Sequence, residues 1–476
     1  MYEASNTQVS EAHSSQSMQQ ILELQRQSLY QEAFPCAEVR IDRLARLLQI
    51  LRENKFDLCE AMSDDFGHRS IQQSRITDIG ASIEPIKHAI KHVKAWMKNE
   101  SRKTIFPLGL MGARARVEYQ PLGIVGCISP WNFPTQLIFG PLAGILAAGN
   151  RVMIKPSEFT PVTSNLIEQL LAENFAQEEI AVIQGGAETG AAFSRLPFDH
   201  LLFTGAKSVA THILTAAAEN LVPVTLELGG KSPLIVGSDA EVNTAAACAM
   251  LGKIMNAGQL CLAPDYALVA EDKLNEFVVK AQQNLQMMYQ DLLNNPDYSS
   301  IINQRHYQRL TDLVNDAREK GAEIIEFNPA NEDFSNQPHY RFLPTLILNP
   351  TNDMLVMQEE IFGPILPVKS YQKFEEVIAC IHQLPRPLGL YYFGHNKTEI
   401  DQVLKRTVSG GVTINDVLMH AAQDDLPFGG VGASGMGAYH GFDGFKNFSH
   451  AKAIYFQSKS VYNFVAKQMR PPYKKS

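Results

Sequence analysis

The chain has no long uninterrupted apolar run, no continuous basic stretch, two tryptophans and only six cysteines in 476 residues. Each scarcity removes a class of function. The longest apolar stretch, 137–149, is broken by Pro141 and three glycines, and it falls short of the roughly twenty residues that cross a bilayer as a helix. Lys and Arg are dispersed among a larger number of acids, for a net charge of −8, so no basic stripe is available to track a phosphate backbone. Cys36, Cys59, Cys127, Cys248, Cys261 and Cys380 form no C-x-x-C pair and have no histidine at zinc spacing. Reduced thiols in the cytoplasm are therefore expected, without disulfides or a metal site. Residues 1–20 are polar and lack the basic and apolar regions of a signal peptide, and are expected to form a disordered arm. Nucleic acid and membrane drop out as partners, and small molecules remain.

Length alone suggests two or three domains. From about Met18 to Lys98 the apolar positions recur at helical spacing, as in Leu44, Leu47, Leu48 and Leu51, which predicts a helical layer. Between Lys103 and Tyr119 a Pro107-Leu108-Gly109 turn and an alternating segment from Ala113 predict a hairpin. Short apolar segments then alternate with helical ones: 123–128, 152–154, 181–183, 200–203 and 224–226. That rhythm calls for a parallel sheet with helices on its faces. A second alternating block from Tyr266 to Val412, with strands at 345–348, 365–368 and 389–393, predicts another α/β domain. Ligands in such sheets bind beyond the carboxyl ends of the strands, so the site is expected in a cleft between the two domains.

One cysteine stands out by its setting. Cys261 ends Asn256-Ala-Gly-Gln-Leu-Cys261, after a helix-like run from Asp239 to Met255 and a Gly258 suited to a helix C′ position, which places it on a turn and not within a packed element. A thiolate is the most nucleophilic common side chain, and a carboxylate desolvated among apolar neighbours has the raised proton affinity of a base that works near neutral pH. Glu227 is such a candidate, between Leu226 and Leu228 and followed by Gly229-Gly230. Taken singly, a cysteine is most often a small buried hydrophobe and a glutamate a surface residue. Asn132, within Pro130-Trp131-Asn132-Phe133-Pro134, would by itself read as a turn residue.

Together these strings, with Lys155-Pro156-Ser157-Glu158, Phe203-Thr204-Gly205 and Glu359-Glu360-Ile361-Phe362-Gly363-Pro364, resemble the NAD(P)-dependent aldehyde dehydrogenase superfamily in order and spacing from about Leu122 to His450. The segments 427–432, 434–437 and 448–450 resemble its class 3 branch, and Asp65-Phe66-Gly67-His68-Arg69-Ser70 resembles the coniferyl aldehyde dehydrogenases. The resemblance implies two parallel-sheet α/β domains plus a small β oligomerisation element: 21–102 and 121–226 for NAD(P), 227–440 for catalysis, 103–120 and 451–460 reaching a partner subunit in a homodimer. It implies Cys261 as the nucleophile forming a thiohemiacetal and then a thioester, and Glu227 as the base for hydrolysis. The oxyanion is assigned to the Asn132 side-chain amide and the Cys261 main-chain N–H, a kind of donor whose loss costs roughly a hundredfold in rate. Trp131, Lys155, Ser157, Glu158, Thr204, Gly205, Glu360 and Phe362 are the implied cofactor residues, for NAD with NADP tolerated. Ala210 replaces the family's usual second glycine in the turn under the pyrophosphate.

The implied reaction is oxidation of an aldehyde, either aromatic, such as coniferyl aldehyde, or medium- to long-chain aliphatic, to the acid. Transfer of the thioester to coenzyme A is the nearest rival, and Glu227 argues against it. A cofactor-free cysteine hydrolase would need a histidine partner, and the sequence offers none adjacent to Cys261. A catalytically silent binding homologue is disfavoured by the intact Cys261, Glu227 and Asn132. Gly430-Val-Gly432-Ala-Ser-Gly435 satisfies G-x-G-x-x-G, yet no strand leads into it and no βαβ unit follows, so it reads as a glycine-rich loop. Tyr439 and Phe445 are expected near the substrate entrance or equally in the core. Thiol deprotonation by water relayed to Glu227 is the expected route, because the helix C-terminus before Cys261 opposes ionisation.

Overall fold

In the computed structural model the described residues are 14–32, 34–337, 339–469, 471 and 473. The first half supplies β1 (Glu100–Arg102), β2 (Arg114–Pro121), β3 (Ile124–Ile128), β4 (Arg151–Lys155), β5 (Ile180–Val182), β6 (His200–Thr204) and β7 (Val224–Glu227). The second supplies β8 (Pro233–Val236), β9 (Tyr266–Ala270), β10 (Glu323–Glu326), β11 (Thr345–Leu348), β12 (Ile365–Tyr371), β13 (Gly389–Phe393) and β14 (Gly411–Ile414), followed by β15 (Gly435–Met436) and β16 (Ser449–Phe456). Three sheets result, ordered β15-β7-β6-β3-β4-β5, β10-β11-β12-β9-β8-β13-β14 and β1-β2-β16.

β3, β4, β5 and β6 are buried at every position, which is what helices on both faces demand of a parallel sheet. β3 runs parallel to β4 and β6, and β6 parallel to β7. Their carboxyl ends therefore converge on one edge, where Lys155, Thr204 and Glu227 are the last strand residues. The second sheet is parallel except for β10 at its edge. The helical layer packs on the first sheet through Leu44, Leu47 and Leu51, in one apolar cluster with Val125 and Ile154.

Three expectations need correction. Residues 15–20 are not a disordered arm but open a helix, Ser15–Glu32. Its Met18, Ile21, Leu22 and Gln25 are buried at the 3–4–7 spacing of one helical face, and Gln25 Nε2 donates to the Val152 and Gln177 carbonyls at 3.0 Å. Residues 1–13 lie outside the described ones. The two-stranded hairpin is a three-stranded antiparallel sheet. β1 precedes the expected start at 103, and β16 pairs along all of β2 from Ser449 opposite Pro121 to Phe456 opposite Arg114. The span 227–440 does not belong wholly to the second sheet, because Gly435 and Met436 pair antiparallel with Glu227 and Leu226 of β7. Tyr439 and Phe445, left open between entrance and core by the sequence, are both fully buried in the first apolar cluster.

The β15 pairing also explains the glycine-rich loop. Gly435 has φ +146°, and a Cβ there would stand 2.2 Å from the Leu226 carbonyl oxygen, so only glycine lets this loop close on β7. The loop is a lid on the strand that ends in Glu227, with Leu228 N–H donating to the Ser434 carbonyl at 3.0 Å.

Candidate active site

Between the two larger sheets lies a cavity of about 240 Å³. Eight of the eleven residues singled out from the sequence line it: Trp131 and Asn132 after β3, Thr204 and Gly205 after β6, Glu227 at the end of β7, and Cys261, Glu360 and Phe362 from the other domain. Lys155, Ser157 and Glu158 stand instead at the carboxyl end of neighbouring β4, outside the lining. Lys155 Nζ donates to Glu158 Oε2 at 2.9 Å, with the ammonium stem buried and the carboxylate partly open to solvent. The Ser157 hydroxyl accepts from Phe159 N–H at 3.2 Å, which leaves its own proton to donate.

Cys261 follows a strained turn. The helix Val242–Ile254 ends, and Asn256, Ala257 and Gly258 take positive φ values of 49°, 51° and 74°, a conformation that costs non-glycine residues of order 1 kcal/mol or more each. Side chains hold it in place. Asn256 N–H donates to Gln73 Oε1 at 2.7 Å and Asn256 Nδ2 to the Asn132 carbonyl at 2.9 Å. Gln259 Nε2 donates to the Asn256 and Ser300 carbonyls at 2.9 and 3.0 Å, and its Oε1 accepts from Ile302 N–H at 2.9 Å. A Cβ on Gly258 would lie 2.2 Å from the Gly363 carbonyl oxygen, so this glycine seats the cysteine turn directly against the loop carrying Glu360 and Phe362. Asn132 reaches the same turn, its Nδ2 donating to the Gln259 carbonyl at 3.1 Å. A carboxamide nitrogen has two protons, so one remains for the cavity.

The charges in the cavity are unusual. Glu227 is 2% exposed, and neither carboxyl oxygen has a hydrogen-bond partner among the described residues. Burial raises its pKa well above the ordinary 4.5, because ionisation there forfeits hydration without compensation. Burial pushes the Cys261 thiol up to about 12, with the Glu360 and Glu227 carboxylates adding to the rise and the nearby amides of Cys261 and Leu262 opposing it. Glu360 is raised to about 8, first by burial and then by Asp265, while the Gly230 N–H, Lys231 and Arg309 pull the other way. At neutral pH the resting cavity thus holds Cys261 as the thiol, beside a Glu227 carboxyl whose proton affinity burial has raised. Glu227 lines the same cavity as the sulphur, and its raised proton affinity suits it to receive a proton through water.

The model of the aldehyde dehydrogenase family matches residues 9–454. The chain belongs to the aldehyde dehydrogenase family. It is 53% identical over 458 residues to a probable coniferyl aldehyde dehydrogenase of Caulobacter vibrioides, covering 96% of this chain and 94% of that one. It is 52% identical over 436 residues to a coniferyl aldehyde dehydrogenase of Pseudomonas sp., covering 92% and 89%. Among solved structures, the substrate-bound state of Staphylococcus aureus AldH superposes with a TM-score of 0.87 at 38% identity, over 95% of this chain and 99% of that one. The protein is an NAD(P)-dependent aldehyde dehydrogenase, and the family is generally oligomeric.

The residues of the dehydrogenase fit the cofactor it uses. The helix Lys207–Ala218 opens at Ala206 without a side-chain cap, and Ala206 lines the cavity, leaving main-chain N–H groups for an anion. Ala210 does not reach that turn's open side. It is buried with Ile213 and Leu226 in the apolar cluster beneath the helix, so the departure from glycine is absorbed by the core. Glu360 crosses the cleft, with an oxygen only 2.0 Å from where a Cβ on Gly229 would stand.

Two lining residues were not anticipated. His306 and Arg309 enter the cavity from the helix Gln304–Glu319. The His306 ring packs 5.1 Å from Trp131, and burial lowers its pKa to about 4, which makes it neutral at pH 7. Arg309 donates to the Glu360 and Ile361 carbonyls. The histidine that the sequence did not place beside Cys261 is thus in the same cavity, brought there from 45 positions downstream by the fold. The signal was the (i, i+3) pair on one helix face, which has no meaning until the helix is docked.

No helix among the described residues is long and apolar enough to cross a membrane, and no group of metal-binding side chains occurs among them.

Proposed function

We propose that this dehydrogenase oxidises aromatic aldehydes of the coniferyl type to the corresponding acids, with NAD favoured over NADP, and that it works as a cytoplasmic homodimer. The observation that carries the chemistry is the meeting of Cys261, the unpartnered carboxyl of Glu227 and the free amide proton of Asn132 in one cavity. The relatives above carry the substrate class.

In this reading Cys261 Sγ, its proton lost through water to Glu227, bonds to the carbonyl carbon of the aldehyde. The carbonyl oxygen becomes an alkoxide that accepts from Asn132 Nδ2 and from the Cys261 main-chain N–H, donors already in place before charge develops. Bound NAD(P) supplies the hydride acceptor, which Lys155, Glu158 and Glu360 would hold with Thr204, Gly205, Trp131 and Phe362. Glu227 releases the thiol's proton to solvent, and the thioester left on Cys261 is then attacked by a water whose proton goes to Glu227. The carbon–sulphur bond breaks, releasing the acid and restoring the thiol. Glu227 needs no other partner for this task, and the absence of one is what keeps its proton affinity high.

The dimer reading rests on the outer sheet. Ile105, Phe106 and Leu110 are about 80% exposed beside β2, an apolar grouping that a monomer rarely leaves in water, and Tyr455 and Phe456 extend it along the edge strand β16. The test is absorbance of reduced nicotinamide with coniferyl aldehyde, benzaldehyde and medium-chain aliphatic aldehydes, each with NAD and with NADP. Highest kcat/KM for coniferyl aldehyde with NAD is expected. A preference of tenfold or more for the aliphatic aldehydes would overturn the substrate assignment.

A further inference from the structure

We infer that Arg69, locked in a buried ion pair with Asp78, is a positioning residue for the oxyanion amide of Asn132. This rests on the role proposed above for Asn132. The Arg69 and Asp78 side chains are completely buried, and Arg69 Nη2 donates to Asp78 Oδ2 at 2.6 Å. The other arm of the fork, Nη1, donates to the main-chain carbonyl of Asn132 at 2.9 Å. The guanidinium lies between the rings of Phe66 and Phe133, 5.0 and 4.9 Å from their centroids, so it has one orientation available.

The pair grips the Asn132 loop at both ends. Asp78 Oδ1 accepts from Gln136 N–H at 3.4 Å, at the start of the helix that follows the loop. Asp78 itself sits in a π-helical turn, Arg75–Gly80, the kind of irregularity that recurs at functional sites. The Asn132 carbonyl that Arg69 holds also accepts from Asn256 Nδ2 at 2.9 Å, and Asn132 Nδ2 returns to the Gln259 carbonyl. One carbonyl therefore couples the 65–70 turn, the Asn132 loop and the strained turn that presents Cys261.

Stability does not account for such a pair. Two charges taken wholly out of water gain little or nothing over apolar residues of the same volume. What the ion pair supplies is direction: a planar fork makes two bonds at a set angle, which an ammonium or an apolar side chain cannot. A displacement of about 1 Å at a reacting group costs on the order of a hundredfold in rate.

The test is a double-mutant cycle on the pre-steady-state burst of reduced nicotinamide. Four proteins are compared: the parent, Asn132→Ala, Arg69→Met with Asp78→Leu (removing both charges at similar volume), and all three substitutions together. The burst rate is expected to fall about ten- to hundredfold in the Arg69/Asp78 variant, with KM and NAD binding by fluorescence quenching within about twofold of the parent. In the Asn132→Ala background the same two substitutions should cost nothing further, because the group they position is gone. An unchanged burst in the Arg69/Asp78 variant, or equal losses with and without Asn132, overturns the inference. An unchanged burst in Asn132→Ala alone would instead remove the role of Asn132 on which the inference rests. Should the paired variant not fold, Arg69→Lys keeps a charge for Asp78 and loses the bond to Asn132. It is expected to slow the burst about tenfold at unchanged KM, and parent-like rates there would refute the assignment.

Discussion

Replacing Glu227 by Gln should split the reaction into its halves. Gln has nearly the same shape, so the cavity and the Gly435 contact with β7 survive, while the only unpartnered carboxyl facing Cys261 among the described residues disappears. General bases contribute typically 10²- to 10⁴-fold, which is about 2.7–5.4 kcal/mol of barrier. That loss should fall on hydrolysis of the thioester. Stopped-flow absorbance with saturating aldehyde and NAD should show a burst approaching one reduced nicotinamide per site, followed by a steady rate 10²–10⁴ below the parent. Alkylation of Cys261 by iodoacetamide should slow as well, since the thiol, held near 12, loses its proton acceptor. A steady rate within threefold of the parent refutes the base assignment. Alkylation at the parent rate would refute only the assistance to thiol deprotonation.

Other consequences follow from the same geometry. Glu227→Gln should raise the melting temperature at neutral pH. The folded-state pKa lies above the ordinary 4.5, so the carboxyl contributes fully below pH 4.5 and loses that contribution as pH rises through its folded value. Scanning calorimetry should therefore find parent and variant alike near pH 4 and diverging above it, and a constant difference at all pH values would contradict the burial argument. Glu360→Gln removes the larger of the two carboxylates that raise the Cys261 thiol, so the pH profile of alkylation should move to lower pH, and a shift to higher pH contradicts it. Gly258→Ala forces a methyl onto the Gly363 carbonyl at positive φ. It should destabilise by about 2 kcal/mol or more, read as a lower urea midpoint, with activity lost in the fraction that stays folded.

Much of this was legible in the sequence where a single local rule sufficed. The buried strands β11 and β13 fall at the residues where apolar runs are bounded by turn signals, and Cys261 lies on the turn that Gly258 announced. The losses came where tertiary contacts decide. Ser15–Glu32 carries only four buried positions in a polar helix, too thin a stripe to stand out from a disordered arm until Gln25 finds the carbonyls of β4 and the loop before β5. β15 is two residues long, and nothing in Gly435-Met436 announces Glu227 and Leu226 as partners more than 200 positions earlier. Arg69 was visible only as one residue of the 65–70 string, and Asp78 was not singled out. Their meaning came from burial, which no composition or periodicity records.

The most direct test of the central claim is to find the acyl group. Glu227→Gln enzyme mixed with coniferyl aldehyde and NAD, quenched in acid during the burst and digested, should carry the aldehyde's acyl group on the peptide containing Cys261, in amounts matching the reduced nicotinamide formed. Reduced nicotinamide without any acylated Cys261, or with the acyl group on another cysteine, would contradict the account.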